Sequence, residues 1–162
     1  MSIKKRRIIF AILIILNCMV IFKFSSQNSE KSSATSGVVV DKVVNTITTV
    51  NKTVKKESLK DKVTFIVRKS AHFSIYTLLG IFLMNFTNTF NISRKRKLLI
   101  CILFGLCYAA SDEFHQSFVG GRSPEIRDVC IDTCGVIFGN LIVILAGKII
   151  LFFKDSKKLI EN

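Results

Sequence analysis

Apolar residues in this chain fall into long blocks that are separated by charged segments. Four blocks cover residues 8–24, 66–90, 98–118 and 129–153. A helix needs about 20 mostly apolar residues to cross the hydrocarbon core of a bilayer, and each block is close to that length. The pattern predicts an all-α membrane protein in which four transmembrane helices form a single domain over residues 1–162.

The segment between the first two blocks, residues 25–65, is too polar to cross a membrane. Its apolar positions nevertheless keep a near-helical spacing, with lysines and threonines between them. These positions are Val40, Val43, Val44, Ile47, Val50 and Val54. The spacing predicts an amphipathic helix that lies on the outer membrane surface.

The third block is unusual because only its first part, residues 98–110, is free of charge. That part is shorter than the length a spanning helix needs. We therefore expect the helix to continue to Phe118 and to carry Asp112, Glu113 and His115 in its last turns.

A glycine turn, residues 120–125 with the sequence GGRSPE, separates the third block from the fourth. Ser123 is suited to cap a helix, and Pro124 suits the first helical position. Further along the fourth helix, Gly135 and Gly139 form a GxxxG motif, which allows two membrane helices to pack closely.

Basic residues decide the predicted orientation. The chain has a formal net charge of +13, and short basic clusters at residues 4–7, 94–97 and 154–158 flank the apolar blocks. Because Lys and Arg near the ends of spans are retained on the inner side, both termini are predicted to be cytoplasmic.

The same placement of basic residues argues against nucleic-acid binding, which requires a basic surface rather than basic flanks. The five cysteines form no CxxC motif and are interpreted as small apolar packing residues.

In this orientation, polar faces on three helices lie at the same, outer end of the bundle. The faces comprise Arg68, His72 and Tyr76 on the second helix, Tyr108, Asp112, His115 and Gln116 on the third, and Asp128, Asp132 and Gly135 on the fourth. A charge that faces lipid at mid-bilayer costs roughly 2.5–3.5 kcal/mol. We therefore predict that these faces converge.

Three stretches carry a family resemblance. They are FSSQ at residues 24–27, RKSAHFSIYTLLG at 68–80 and SDEFHQSFVGGRSPEIRDVCIDTCG at 111–135, with Gly139 beyond them. In these stretches the chain resembles the VanZ-like family of small bacterial membrane proteins, which is named for a teicoplanin-resistance protein. The resemblance implies a four-helix domain in the bacterial cell membrane and a link to glycopeptide resistance. It implies no particular reaction.

The functional hypothesis is an outward-facing polar cluster that binds or modifies an anionic envelope component, such as a cell-wall lipid precursor. Arg122 precedes a helix N-terminus, where N–H groups and the helix dipole favour an anion. The candidate ligand-binding residues are Arg68, Gln116, Arg122, Arg127 and Asp128. The candidate acid–base residues are His72, Asp112, Glu113 and His115.

Two alternatives stay open. The charged residues could form a structural network that fixes helix register, as polar contacts between membrane helices do. They could instead belong to an acid–base or metal-dependent enzyme that acts on a lipid-linked phosphate headgroup. The DEFH sequence at residues 112–115 differs from the HExxH motif of dedicated zinc sites, so neither a metal nor another cofactor is predicted. The sequence leaves the oligomeric state open.

Overall fold

The protein is described by a computed structural model over residues 1–26, 29–50, 56–119 and 125–160. These ranges contain five helices and no strand. The helices are α1 (Ile3–Ser25), α2 (Ser29–Val50), α3 (Lys56–Thr87), α4 (Arg94–Gln116) and α5 (Ile126–Ile160). The predicted all-α class is confirmed.

Three helices in the described ranges are long and apolar enough to cross a membrane: α1, α4, and the part of α5 from Ile126 to Lys154. They correspond to three of the four predicted spans. Helix α3 covers the remaining predicted span but falls short in hydropathy, because polar residues such as His72 and Asn85 lie within its apolar half. The structure thus supports three candidate spans by length and composition, whereas the sequence predicts four.

Several helix ends differ from the predicted block boundaries. Helix α3 begins at Lys56, ahead of the predicted start at 66, and α5 continues past 153 to Ile160. Both extensions are polar, so these helices continue beyond the apolar segments that define the blocks. Helix α4 ends at Gln116 rather than at 118, and the Ser117 N–H donates to the Glu113 carbonyl oxygen over 3.2 Å in its last turn.

The predicted amphipathic helix is present as α2, but part of its apolar stripe has a protein partner. Val40 and Val44 are fully buried against Val63 of α3. On the same face, Asp41 and Lys60 form an ion pair of 3.0 Å. The two valines are therefore covered by the N-terminal part of α3, which corrects the prediction that they lie against the membrane surface.

Helix α3 contacts each of the other four helices, and its contact with α5 depends on glycine. A Cβ atom added to Gly139 would lie 2.1 Å from the Thr77 carbonyl oxygen, and one added to Gly135 would lie 2.6 Å from that of Phe73. From the other side, a Cβ on Gly80 would lie 2.2 Å from the Val136 oxygen. The close packing predicted for the GxxxG motif is confirmed.

Candidate functional site

Three helices each contribute one side chain to a compact polar cluster. His72 from α3, Asp112 from α4 and Asp132 from α5 place one potential ligand atom each within 4.8 Å of the other two. We call these three residues the His–Asp–Asp cluster. Asp112 and Asp132 are buried, with exposed fractions of 4% and 1%. Because the residues come from separate helices, only the packing of α3, α4 and α5 brings them together.

The His72–Asp132 contact is close without being a hydrogen bond. His72 Nδ1 lies 3.6 Å from Asp132 Oδ2, which exceeds hydrogen-bond distance. Both Asp132 carboxylate oxygens are buried and have no hydrogen-bond partner among the residues that the structure describes. Burying a charged group without a hydrogen-bonded partner is costly, so Asp132 is the most strongly under-satisfied group of the cluster.

Asp112 is better supported. The Gln116 side-chain amide, one turn further along α4, donates to Asp112 Oδ2 over 3.2 Å. Ser25 at the end of α1 is fully buried and lies next to Asp112. Gln116 was predicted as a ligand-binding residue, and in the structure its amide orients the Asp112 carboxylate.

A buried tyrosine borders both carboxylates. Tyr76 is fully buried near Asp112 and Asp132, and its hydroxyl has no hydrogen-bond partner in the described part of the chain. Its ring lies 6.3 Å from that of Tyr108, whose own hydroxyl donates to the Cys18 carbonyl oxygen over 2.7 Å. The two adjacent tyrosines therefore differ. The Tyr108 hydroxyl links α4 to α1, whereas the Tyr76 hydroxyl has no hydrogen-bond partner among the described residues.

Two further acids flank the cluster. Glu113 Oε2 accepts a hydrogen bond of 3.0 Å from the backbone N–H of Glu125, which lies just before α5. The other carboxylate oxygen of Glu113, Oε1, is buried and has no partner in the described ranges. A carboxylate of the protein thus occupies part of the anion position that the sequence predicted near this helix start. Asp128 Oδ2 forms an ion pair with Lys69 of α3.

Some of the predicted site residues lie apart from the cluster. His115 Nε2 is 3.1 Å from Ser26 Oγ, and the His115 ring stacks on Phe22 at 4.5 Å. The described contacts of His115 are thus with the end of α1 rather than with His72.

The predicted arginines also lie outside the cluster or beyond the described residues. Arg127 is exposed, forms an ion pair of 2.5 Å with Glu125 and lies 5.0 Å above the Phe65 ring. Arg68 is half-buried, and no described contact joins it to the His–Asp–Asp cluster. The predicted position of Arg122 lies outside the described residues.

Asp132 and Tyr76 lie on the predicted polar faces but are not among the predicted site residues. Ser25 and Lys69 are also absent from the predicted set. The available signals were the spacing of Asp128 and Asp132 at i and i+4, and the position of Ser25 within the FSSQ stretch.

The family model described as VanZ/LLP1 matches residues 10–151, which is most of the chain. The chain belongs to this family. The match extends from α1 into α5 and includes the whole His–Asp–Asp cluster. No curated protein and no solved structure matches the chain. The resemblance inferred from the sequence motifs is therefore confirmed at the level of the VanZ/LLP1 family.

Two cavities formed by described residues of this VanZ/LLP1 protein lie outside the cluster. A groove of about 370 Å³ runs between α1 and α4 and is almost wholly apolar; it is lined by Ile14, Ile15, Cys18, Met19, Phe22, Phe104 and Tyr108. A second cavity of about 530 Å³ lies between α2 and α3 near Asp41 and Lys60. The groove is connected to the cluster through two tyrosines, because Tyr108 lines the groove and its ring lies next to that of Tyr76.

Proposed function

We propose that this VanZ/LLP1 protein binds an anionic, lipid-linked component of the bacterial cell envelope at the outer ends of its transmembrane helices. The observation that carries the proposal is a set of buried polar atoms without partners, which a bound group or ion would pair. Among the described residues these atoms include both Asp132 oxygens, the Tyr76 hydroxyl, Glu113 Oε1, Asp128 Oδ1 and the Ser25 hydroxyl. A network that served only to fix helix register would gain by pairing these atoms, since each unpaired buried group costs about 1–3 kcal/mol. The carboxylate oxygens of this set would repel an anion at close range, so the anionic class of the ligand rests on the cations at the rim.

The position of the glycine contact supports α3 as a fourth span. Gly135 and Gly139 lie well inside the candidate span Ile126–Lys154 and touch α3 at Phe73 and Thr77. The apolar half of α3 therefore packs along that candidate span, which supports the proposal that α3 also crosses the membrane. Four spans with cytoplasmic termini bring the end of α4 and the start of α5 to the outer side.

The distribution of charge supports an anionic ligand that approaches from the rim. Lys69 Nζ and the Arg127 guanidinium lie 5.3 Å and 5.0 Å from the centre of the same Phe65 ring. Arg68 precedes Lys69 on α3 and is half-buried. Cations at the edge of the site suit a phosphate group, which accepts several charge-assisted hydrogen bonds at once. Lys69 and Arg127 also pair with Asp128 and Glu125, so a phosphate would share these two cations with carboxylates.

The groove between α1 and α4 supports a lipid-linked ligand over a small soluble anion. Its walls offer almost no polar surface to a soluble ligand, and Tyr108 and Phe22 stand where it approaches the polar residues. Phe22 also stacks on His115 near the end of α4. A polyprenyl or acyl chain in this groove would keep its phosphate near the ends of α4 and α5. A link to glycopeptide resistance is part of the proposal and is supported by the family resemblance.

A structural role is the second candidate, and one observation favours it. Lys69 with Asp128 joins α3 to α5, and Glu113 with the Glu125 N–H joins α4 to the start of α5. These contacts hold the three helices together regardless of a ligand. They leave the Asp132 carboxylate and the Tyr76 hydroxyl without a described role.

Native mass spectrometry of the delipidated protein tests the proposed function. Undecaprenyl phosphate and phosphatidylcholine are offered at equal concentration, and we expect the phosphate lipid to bind preferentially. Lys69→Gln should reduce that preference. Lys60→Gln is the matched control, because Lys60 pairs with Asp41 at an exposed position away from the cluster. Equal occupancy by the two lipids in the unmodified protein would refute the proposal.

A further inference from the structure

We propose that the His–Asp–Asp cluster binds one divalent metal ion of the zinc or manganese type. The ligands are His72 Nδ1 and one carboxylate oxygen each from Asp112 and Asp132. The inference adds an ion to the site proposed above and relies on that function only for the ligand that would reach the ion.

The geometry of the cluster is the first argument. Two ligands of a tetrahedral ion, each about 2.0–2.1 Å from the metal, lie roughly 3.3 Å apart. The distance of 3.6 Å from His72 Nδ1 to Asp132 Oδ2 is near that value. The Asp112 oxygen lies within 4.8 Å of both, so small side-chain rotations would close the set around an ion.

The missing partners of Asp132 are the second, independent argument. Its carboxylate is 1% exposed, and neither oxygen has a hydrogen-bond partner among the described residues. The four ion pairs within the described ranges leave Asp112 and Asp132 without a Lys or Arg partner, since Lys69 is engaged with Asp128. A divalent cation would balance the two carboxylates and give each a close partner.

The surroundings resemble the supporting shell of a metal site. Ligating carboxylates are usually held in place by a further hydrogen bond, and the Gln116 amide supplies one to Asp112. Tyr76 borders the same space with an unpaired hydroxyl, which is suited to contact a water molecule on the ion.

The donor set limits the choice of ion. One imidazole nitrogen with two carboxylates suits zinc or manganese better than calcium or magnesium, which prefer oxygen alone. Three protein ligands leave at least one coordination position open. If the proposed function holds, a phosphate oxygen of the envelope lipid would occupy that position, which explains how an acidic core could serve an anionic ligand.

The metal content of the detergent-solubilised full chain is the direct test. The protein is stripped with EDTA, dialysed against Zn²⁺ or Mn²⁺ separately, and analysed by inductively coupled plasma mass spectrometry. We expect about one ion per chain. His72→Ala and Asp132→Asn should each weaken binding by more than about tenfold, because the first removes a ligand and the second replaces a charged carboxylate ligand with a neutral amide.

His115→Ala and Asp41→Asn are the matched controls. His115 contacts Ser26 and Asp41 pairs with Lys60, so both variants should bind metal as the unmodified protein does. Gel filtration and circular dichroism check that each variant is folded. Failure of the unmodified protein to retain either ion overturns the inference without any variant. Full affinity in folded His72→Ala and Asp132→Asn would also overturn it.

The same samples separate this inference from the proposed function, because metal binding is measured without lipid. Stoichiometric metal without a preference for undecaprenyl phosphate would uphold the metal site and refute the lipid function. A preference for the phosphate lipid in protein that takes up neither ion would uphold the lipid function and refute the metal site.

Discussion

His72 on α3 and Asp132 on α5 lie level with each other, with Nδ1 and Oδ2 3.6 Å apart, where a glycine contact joins the two helices. Phe73, the residue after His72, has its carbonyl oxygen against Gly135, which follows Asp132 by one helical turn. The glycine contact therefore sets the register that brings the imidazole to the carboxylate.

Gly139→Ala should destabilise the protein. The added Cβ would lie 2.1 Å from the Thr77 carbonyl oxygen, so the backbones of α3 and α5 must separate. Overpacking of this kind typically costs about 1–3 kcal/mol. Thermal unfolding in detergent measures the effect. Gly147→Ala is the matched control, because nothing lies within 4 Å of a Cβ at that position. Equal melting temperatures for the two variants would contradict this account of the contact.

The sequence predicted the helices well because their main signal is local. Blocks of apolar residues located α1, α4 and α5, and the valine spacing located α2. The neighbour of Val40 and Val44 was not predictable in this way, because no local pattern specifies that α3 extends back to Lys56 and covers them.

For the site, the sequence predicted only which helix faces would form it. Helical periodicity placed His72, Asp112 and Asp132 on polar faces, and the predicted topology placed those faces at one end of the bundle. Neither could show which oxygen atoms would lack partners. His115 illustrates the limit. It lies one residue before Gln116, and a step of roughly 100° around the helix is enough to direct it to α1. Which group is left unsatisfied depends on the packing of several helices at once.

Lys69→Gln should lower the free energy of unfolding by about 1–3 kcal/mol, because it leaves the mostly buried Asp128 carboxylate without its cation. Chemical or thermal unfolding in detergent gives the value. Lys60→Gln breaks an exposed pair with Asp41 and should cost less than about 1 kcal/mol. Adding Asp128→Asn to Lys69→Gln should recover part of the loss, and no recovery in the double variant would argue against a direct pair.

Tyr76→Phe should leave stability unchanged or raise it by about 1 kcal/mol, because it removes a buried hydroxyl without a described partner. Tyr108→Phe is the paired comparison. It should lower stability by about 1 kcal/mol, because the Tyr108 hydroxyl donates to the Cys18 carbonyl oxygen. Thermal unfolding of the two variants decides the point. A larger loss for Tyr76→Phe than for Tyr108→Phe would mean that the Tyr76 hydroxyl has a structural partner.

The location of the C-terminus should show whether α3 crosses the membrane. If α1, α3, α4 and α5 all span, a chain with a cytoplasmic N-terminus also ends in the cytoplasm. If only α1, α4 and α5 span, it ends outside, and the basic residues 94–97 also lie outside, against the usual inner placement of Lys and Arg. We expect four spans, because α3 packs on Gly135 and Gly139 within the span of α5.

Reporter fusions after residue 162 test this expectation: alkaline phosphatase is active outside the membrane, and green fluorescent protein is fluorescent inside. A fusion after residue 50 is the control, since both arrangements place that position outside. Fluorescence without phosphatase activity at the C-terminus supports four spans. The opposite result, with the control behaving as expected, would leave α3 outside the bilayer and require a new account of the glycine contact.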